Sequence, residues 1–263
     1  MVNTPQRLLS YDDILNQEIA VARTTQNRLR GASENVPKLF NTLFHLTYFF
    51  GSKPNKESPE GYYHQYCWYV YYHLPYTSRA CFILWTCGYY LEASQLLRNI
   101  LETLVKMRYL KNHTDQIEAV WLNKKFGKSR ITIKTMFEEV IPGYYDIEYG
   151  QLLSGFVHGS SASLLFKLEL IAPNNAKVDQ GVVYKENYSS YVLNQLIVYV
   201  LGCLNFFPVA FPDGFSALTE PIKKEWQSSV DWCLDCVDSH KKEHPKSIRW
   251  YQKLESFCVQ IIC

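Results

Sequence analysis

The chain has 263 residues, of which 47% are hydrophobic and 20% charged, so it can bury a sizeable core as one large or two small domains. Its 27 basic and 25 acidic residues leave a net charge of +2, and this balance excludes a global electrostatic attraction to nucleic acid. The first residues lack the basic-then-apolar pattern of a secretory signal, and eight cysteines are too few for a disulfide scaffold. We therefore expect a cytoplasmic protein with free cysteines.

Apolar residues recur with helical period along almost the whole chain, which predicts an all-α protein. The predicted helices cover residues 11–30, 36–50, 61–76, 77–112 with a break near Gly88, 131–140, 147–170, 187–211, 221–242 and 247–261. Loops rich in polar and breaker residues are predicted at 52–61, 123–130 and 172–182. No repeat and no alternating strand pattern is found. We predict a single helical-bundle domain of about eight to ten helices over 1–263, with a core at 77–211 and the helices of 11–76 and 221–262 packed on it.

The segment GYYHQYCWYVYYHLPY, residues 61–76, carries seven tyrosines. On a helix, Tyr62, Tyr66, Tyr69 and Tyr76 fall on one stripe. Such a row could stack nucleic-acid bases, but a stacking platform needs interleaved Lys or Arg, and residues 61–76 contain neither. The alternative is an aromatic helix packed against its neighbours, so we predict that most of these four side chains are buried.

Residues 193–211, LNQLIVYVLGCLNFFPVAF, are apolar over a length that could span a membrane. The segment carries Asn194, Gln195 and Asn205 and reaches a proline at its end. These polar residues favour a buried helix of a folded core, and we expect no membrane association.

A line of polar residues crosses the otherwise apolar helix predicted after Gly88. Ser94, Arg98 and Glu102 are spaced four residues apart, among leucines and isoleucines. An exposed Arg–Glu pair at this spacing contributes only about 0.3 kcal/mol, whereas buried charges are costly unless further polar groups satisfy them. The line therefore requires a polar partner.

The segment GQLLSGFVHGSSASLL, residues 150–165, supplies a candidate partner. Gly155, Gly159 and Ser163 form a line of small residues that lets another helix approach closely. Ser154 and His158 lie on an adjacent polar line. We predict that Arg98 and His158 lie on facing helices and share a hydrogen-bond network that includes Glu102.

Together, GYYLEASQLLRNILETLVKMRYL and YGQLLSGFVHGSSASL resemble a family of uncharacterised bacterial all-helical proteins. That family carries a Leu-Leu-Arg…Glu helix followed by a Tyr…Ser…His helix, and the resemblance covers roughly residues 75–210. The matching positions are Arg98, Glu102, Tyr149, Ser154 and His158. Its members resemble in fold the HEPN helical domains, many of which are ribonucleases or toxins in defence systems. The resemblance therefore implies an all-helical, HEPN-like core.

HEPN ribonucleases use an arginine followed four to six residues later by a histidine. RYLKNH matches that spacing and makes Arg108 and His113 weaker catalytic candidates, although roughly 0.7 such pairs are expected by chance. His113 also lies at a predicted helix end, where a basic residue is stabilised by the last backbone carbonyls. This gives His113 an ordinary structural role as the alternative.

A third set, Cys233, Cys236, His240 and His244, has residue types that bind zinc. All four lie along one face of a single straight helix, which cannot wrap four ligands around one ion. They are therefore weak metal candidates, and we predict neither a metal nor a cofactor. A phosphate-binding loop, a G-x-S-x-G elbow and an H-E-x-x-H motif are all absent from the sequence.

Two functions stay open. The leading hypothesis is an HEPN-like, metal-independent ribonuclease or toxic effector in bacterial antiviral defence, with RNA as its substrate. In it, His158 acts as general acid or base, Arg98 stabilises phosphate charge, Glu102 orients Arg98 and Ser154 holds His158. The alternative is a non-enzymatic binding or assembly module, engaging a protein partner or a second copy, in which the Arg98–Glu102–His158 cluster is structural.

Overall fold

The computed structural model describes residues 10–49, 58–121, 131–146, 168–172, 175–178, 182–243 and 256–257. Nine α-helices lie in these ranges: α1 (Tyr11–Arg28), α2 (Arg30–Leu46), α3 (Pro59–Thr86), α4 (Tyr90–Asn112), α5 (Ile117–Trp121), α6 (Ile133–Val140), α7 (Glu186–Ala210), α8 (Pro212–Ser216) and α9 (Glu220–Glu243). A 3-10 turn, Thr114–Gln116, joins α4 to α5. The predicted all-α bundle is confirmed.

Capping side chains fix several helix starts. The Ser10 hydroxyl accepts a hydrogen bond from the Asp13 amide, while the Asp13 carboxylate accepts one from the Ser10 amide, and together they form a capping box before α1. The Ser58 hydroxyl caps α3 by accepting a hydrogen bond from the Gly61 amide, with Pro59 in the first turn. The Thr132 hydroxyl caps α6 by accepting one from the Thr135 amide. Each cap satisfies an amide that would otherwise have no partner in the helix.

The helix boundary predicted between residues 76 and 77 is wrong, because α3 continues through Pro75 to Thr86. Proline in a helix interior removes one hydrogen bond and costs about 3 kcal/mol. Buried residues flank it on both sides, with Tyr71 before it and Cys81 after it, and their packing offsets that cost. The predicted break near Gly88 is confirmed: its φ is 86°, and an added Cβ would lie 2.9 Å from the Val21 Cγ1 atom.

A β-hairpin is the main departure from the predicted elements. Strands β1 (Leu168–Ala172) and β2 (Asn175–Val178) pair antiparallel, with Leu168 opposite Val178 and Leu170 opposite Ala176. The prediction of helix up to residue 170 and of loop over 172–182 is therefore wrong at these positions. Pro173-Asn174 separates the strands in sequence, and both residue types are common in turns and unfavourable in a helix interior. The other residues of the predicted helix, 147–167, lie outside the described ranges.

The hydrophobic core is built around α3, α4 and α7. Hydrogen bonds from buried aromatic side chains tie α3 to α7: Trp85 donates to the Ser189 carbonyl at 2.8 Å and Tyr71 to the Cys203 carbonyl at 2.6 Å. Helix α9 packs on α7 and α2, and α6 packs on α4. These contacts bring the C-terminal end of α4 beside α6.

Helix α7 is long and apolar enough to cross a membrane, but 83% of its most apolar window is buried inside the protein. Gln195 and Asn205 are buried within it. The prediction of a buried core helix is confirmed. None of the six cysteines in the described ranges forms a disulfide bond.

Candidate functional site

Arg98 and Glu102 form the ion pair that their spacing predicts. The Arg98 Nε and Glu102 Oε1 atoms are 2.9 Å apart, and the Lys106 Nζ atom lies 3.5 Å from Glu102 Oε2. The Arg98 and Glu102 side chains are only 20% and 21% exposed. One half-buried carboxylate therefore lies between two cations along a single face of α4.

Ser94 takes no part in that ion pair. Its side chain is fully buried, and its hydroxyl donates to the Tyr90 carbonyl of the preceding turn at 2.7 Å. The polar line expected along α4 is therefore not one network. The Ser94 hydroxyl bonds to its own helix, and the charged residues form a separate, half-buried ion-pair ladder.

Tyr149, Ser154 and His158 lie outside the described residues. The predicted network between Arg98, Glu102 and His158 therefore stays a prediction.

His113 forms a histidine–carboxylate pair at the end of α4. Its Nε2 atom lies 2.7 Å from Oε1 of Glu139, which belongs to α6. Its Nδ1 atom faces the Gln116 amide nitrogen at 3.5 Å. The His113 side chain is 30% exposed and the Glu139 side chain 44% exposed, so solvent reaches the pair. A carboxylate only accepts hydrogen bonds, so in the neutral ring the proton is held on Nε2 and the lone pair on Nδ1.

Tyr109 and Gln116 hold this imidazole in place. The Tyr109 ring stacks on the His113 ring with centroids 4.4 Å apart, and its hydroxyl donates to the Gln116 side-chain oxygen at 2.7 Å. Burial, and then the charge of Glu139, raise the pKa of Tyr109 and keep this phenol protonated as a donor. The hydroxyl in turn orients Gln116, whose amide nitrogen points toward Nδ1 of His113.

Two basic residues, Arg108 and Lys111, lie on the last turns of α4 before His113. The exposed Lys111 ammonium lies 5.9 Å from the centre of the Tyr63 ring. The nearby Arg108 charge opposes the effect of burial, which raises the pKa of the Tyr63 phenol. Arg108, Lys111 and His113 therefore lie at the same end of the helix. The partial negative charge of the last backbone carbonyls also stabilises cations there.

Glu139 and Gln116 are the residues that the sequence does not reveal. Glu139 follows His113 by 26 residues, and only the packing of α6 on α4 brings the two together. Met136 and Phe137 are the buried residues of α6, whereas the Glu139 side chain is 44% exposed.

A second histidine–carboxylate pair has a different environment. His45 Nδ1 lies 2.8 Å from Oε2 of Glu225, whose Oε1 accepts a hydrogen bond from the Thr42 hydroxyl at 3.1 Å. That hydroxyl also lies 2.8 Å from the buried Ser229 hydroxyl. Both carboxylate oxygens are engaged in a network between α2 and α9, which is a structural tie between helices.

The weak metal candidates do not form a site among the described residues. Cys233 is fully buried, and burial raises the pKa of Cys236 to about 11, so neither favours the thiolate that binds zinc. The His240 Nδ1 atom lies 2.7 Å from the Asn194 side-chain nitrogen. In the ranges that the structure covers, no three His, Cys, Asp or Glu side chains are grouped to hold a metal ion, and His244 is outside those ranges.

The prediction that most of the tyrosine stripe is buried is wrong. Tyr66 is buried and Tyr62 half-buried, but Tyr69 and Tyr76 are 50% and 56% exposed. The alternative of a base-stacking row is therefore open again.

No family model matches this chain, no curated protein matches it, and no solved structure matches it.

Proposed function

We propose that this chain is an HEPN-like cytoplasmic effector of bacterial antiviral defence that cuts RNA without a metal ion. The observation that carries the proposal is the His113–Glu139 pair, an imidazole oriented by a carboxylate at a solvent-accessible helix end. Arg108 stands five residues before His113 in the Arg-x4-His spacing of HEPN ribonucleases, and Lys111 adds a second cation.

The chemistry follows from the two ring nitrogens. Glu139 holds the proton on Nε2, so the Nδ1 lone pair is the base that removes the proton from a ribose 2′-hydroxyl. This hydroxyl takes the place of the Gln116 amide nitrogen, which lies 3.5 Å from Nδ1. The 2′-oxygen then bonds to phosphorus, the bond from phosphorus to the 5′-oxygen breaks, and an acid protonates that oxygen. The products are a 2′,3′-cyclic phosphate and a 5′-hydroxyl. Arg108 and Lys111 stabilise the charge that develops on the phosphate oxygens.

His158 is the candidate for the acid. In this proposal it protonates the leaving oxygen while Ser154 holds its ring, and Arg98, oriented by Glu102, adds positive charge to the phosphate site. The Arg98–Glu102 ion pair supports the orientation that this role requires.

The test is cleavage of a labelled single-stranded RNA by the purified 263-residue chain in the presence of EDTA. We expect products with a cyclic phosphate end, and we expect His113→Ala to slow cleavage by about 100-fold or more, the usual contribution of an acid–base group. Glu139→Gln keeps the size of the side chain but removes the charge that orients the ring, so it gives a smaller loss. Arg108→Ala lowers the rate without changing the product.

His45→Ala is the matched control, because it removes a histidine from the other His–Glu pair, at the α2–α9 contact. We expect it to cleave RNA at the wild-type rate. Full activity of His113→Ala combined with loss of activity in His158→Ala would transfer the base to the Ser154–His158 segment. A wild-type chain that leaves RNA intact would refute the ribonuclease function.

A non-enzymatic binding or assembly module is the second candidate, and the Arg98–Glu102–Lys106 ladder favours it. The Glu102 carboxylate is paired with both cations along one helix face, as expected for a structural cluster. The melting temperature of His158→Ala separates the two functions. Removing a partner from a buried ionic cluster costs about 3 kcal/mol, whereas a catalytic histidine lining a groove is replaced at a cost of less than about 1 kcal/mol.

A further inference from the structure

The outer side of α3 carries a row of exposed aromatic rings, which we call the aromatic face: Trp68, Tyr69, Tyr72, His73 and Tyr76. The Trp and Tyr side chains of this face are 47% to 56% exposed. Ile83, which is 44% exposed, extends the row toward the end of the helix. Exposed rings of this size are enriched at protein interfaces and are uncommon elsewhere on a surface.

The rings of the aromatic face are already packed on one another. Trp68 and Tyr72 stack with centroids 5.7 Å apart and planes 17° apart, and Tyr69 contacts His73 with centroids 4.6 Å apart. Tyr72 also contacts Tyr76, with centroids 6.3 Å apart. Because the side chains are held by their neighbours, a partner that binds them loses little conformational entropy in ordering them.

The ring arrangement and the charges disfavour nucleic acid as the occupant. A base stacks on an open ring face, and the stacking of Trp68 on Tyr72 occupies one face of each ring. Between Pro59 and Thr86 the sequence contains one arginine, Arg79, no lysine, and one acidic residue, Glu60. A surface that is poor in charge and rich in Tyr and Trp is the composition of the centre of a protein–protein interface.

The area of the aromatic face suits a second copy of the chain. A half-exposed aromatic side chain offers about 100 Å² of accessible surface, so the four Trp and Tyr side chains with Ile83 offer on the order of 500 Å². A standard interface buries about 800 Å² on each partner, which the face reaches once its polar rim is added. An aromatic face without carboxylates is also complementary to itself, as a two-fold interface requires.

We propose that the aromatic face is the contact between two copies of this chain, which pack α3 against α3 about a two-fold axis. The Arg79 guanidinium, one turn beyond Tyr76, lies over an aromatic ring of the second copy instead of meeting a like charge. The proposal concerns a surface apart from the His113–Glu139 pair, and it holds or fails independently of RNA cleavage.

Sedimentation velocity of the 263-residue chain over a range of concentrations tests the proposal. We expect a dimer, and we expect the double variant Tyr72→Glu, Tyr76→Glu to raise its dissociation constant by about 100-fold or more, because four carboxylates then meet at the axis. Tyr11→Glu is the matched control, since Tyr11 is 77% exposed on α1 and lies outside the aromatic face. It should dimerise as the wild type does. Circular dichroism melting verifies that each variant is folded, and Trp68→Ala replaces the double variant if that variant is unfolded.

Each other outcome overturns the proposal. A wild-type chain that is monomeric at about 100 μM has no dimer of the standard class. A dimer that persists in the folded variants uses another surface. A monomer whose binding to single-stranded RNA is lost in the double variant and retained in Tyr11→Glu assigns the aromatic face to nucleic acid.

Discussion

The two sides of α3 carry the same kinds of side chain in opposite environments. On the inner side, Tyr71 and Trp85 are at most 1% exposed, and each donates a hydrogen bond to a carbonyl of α7. On the outer side, Tyr72 and Trp68 are about half exposed and stack on each other. Tyr71 and Tyr72 are neighbours in sequence. The comparison shows that aromatic content alone does not indicate a core, because tyrosine and tryptophan are stable in either setting.

The largest expected difference between the two sides comes from tryptophan. Trp85→Ala leaves a large cavity between α3 and α7 and removes the hydrogen bond to the Ser189 carbonyl, so we expect it to lower the free energy of unfolding by about 4 kcal/mol. Trp68→Ala, on the outer side, should cost less than about 1 kcal/mol. Urea denaturation of both variants at low protein concentration measures the difference. Equal losses would show that the outer side is also part of the folded core.

Alkaline pH should lower the free energy of unfolding through the titratable groups buried on the inner side of α3. Burial raises the pKa of the Cys67 thiol to about 12 and also raises the pKa values of the Tyr63 and Tyr66 phenols. An unfolded thiol titrates near pH 8.5, so the stabilisation from Cys67 is complete below that pH and is lost as the pH rises toward 12. We expect the free energy of unfolding to fall by up to about 1.4 kcal/mol per pH unit for this group above pH 9.

Urea denaturation at several values between pH 8 and pH 10.5 measures this slope. Cys67→Ala should reduce the slope by the contribution of one proton, whatever its effect on stability at neutral pH. Tyr72→Phe should keep the wild-type slope, because it removes no buried group. An unchanged slope in Cys67→Ala would contradict the assignment of this alkaline sensitivity to the inner side of α3.

Removing the hydroxyl group of Tyr71 should cost more stability than removing that of Tyr72, but this difference is smaller than the one between the two tryptophans. Tyr71→Phe removes the donor to the Cys203 carbonyl, and we expect a loss of about 1 kcal/mol in the free energy of unfolding. Tyr72→Phe removes only an exposed hydroxyl and should leave that free energy unchanged. Denaturant midpoints of the two variants provide the measurement, and a cost for Tyr72→Phe as large as that for Tyr71→Phe would contradict the comparison.

Helices were predictable from sequence because their signals are local. The apolar period placed α7 at 187–211 and α9 at 221–242, within one residue of the observed bounds at each end. The orientation of α3 was harder to predict. Its inner line is carried by Cys67, Val70 and Leu74, and the tyrosine stripe lies beside it, so Tyr66 is buried while Tyr69 is exposed. Tyrosine suits both environments, so the stripe did not determine which side of the helix faces α4 and α7.

The candidate site was predictable only in part. The four-residue spacing of Arg98 and Glu102 on one helix was sufficient to predict their ion pair. Glu139 could not be predicted as the partner of His113, because that contact depends on how α6 packs on α4. The same limit applies to His45 and Glu225, which are 180 residues apart. Pairs between helices are set by tertiary packing, which no local pattern encodes.

The smallest expected effect concerns the edge between the two sides of α3. Tyr76 belongs to the aromatic face, but its ring meets the Phe44 ring of α2 edge-on, with centroids 5.1 Å apart and planes 83° apart. Such a pair contributes about 0.5–1 kcal/mol beyond its burial. A double-mutant cycle with Phe44→Ala, Tyr76→Ala and the double variant should give a coupling free energy of that size. As a control, Phe44 and Trp68 have no ring contact in the described structure, so their cycle should give coupling near zero. If Phe44 and Tyr76 are also uncoupled, then α2 does not hold this ring, and the aromatic face is ordered by the rings of α3 alone.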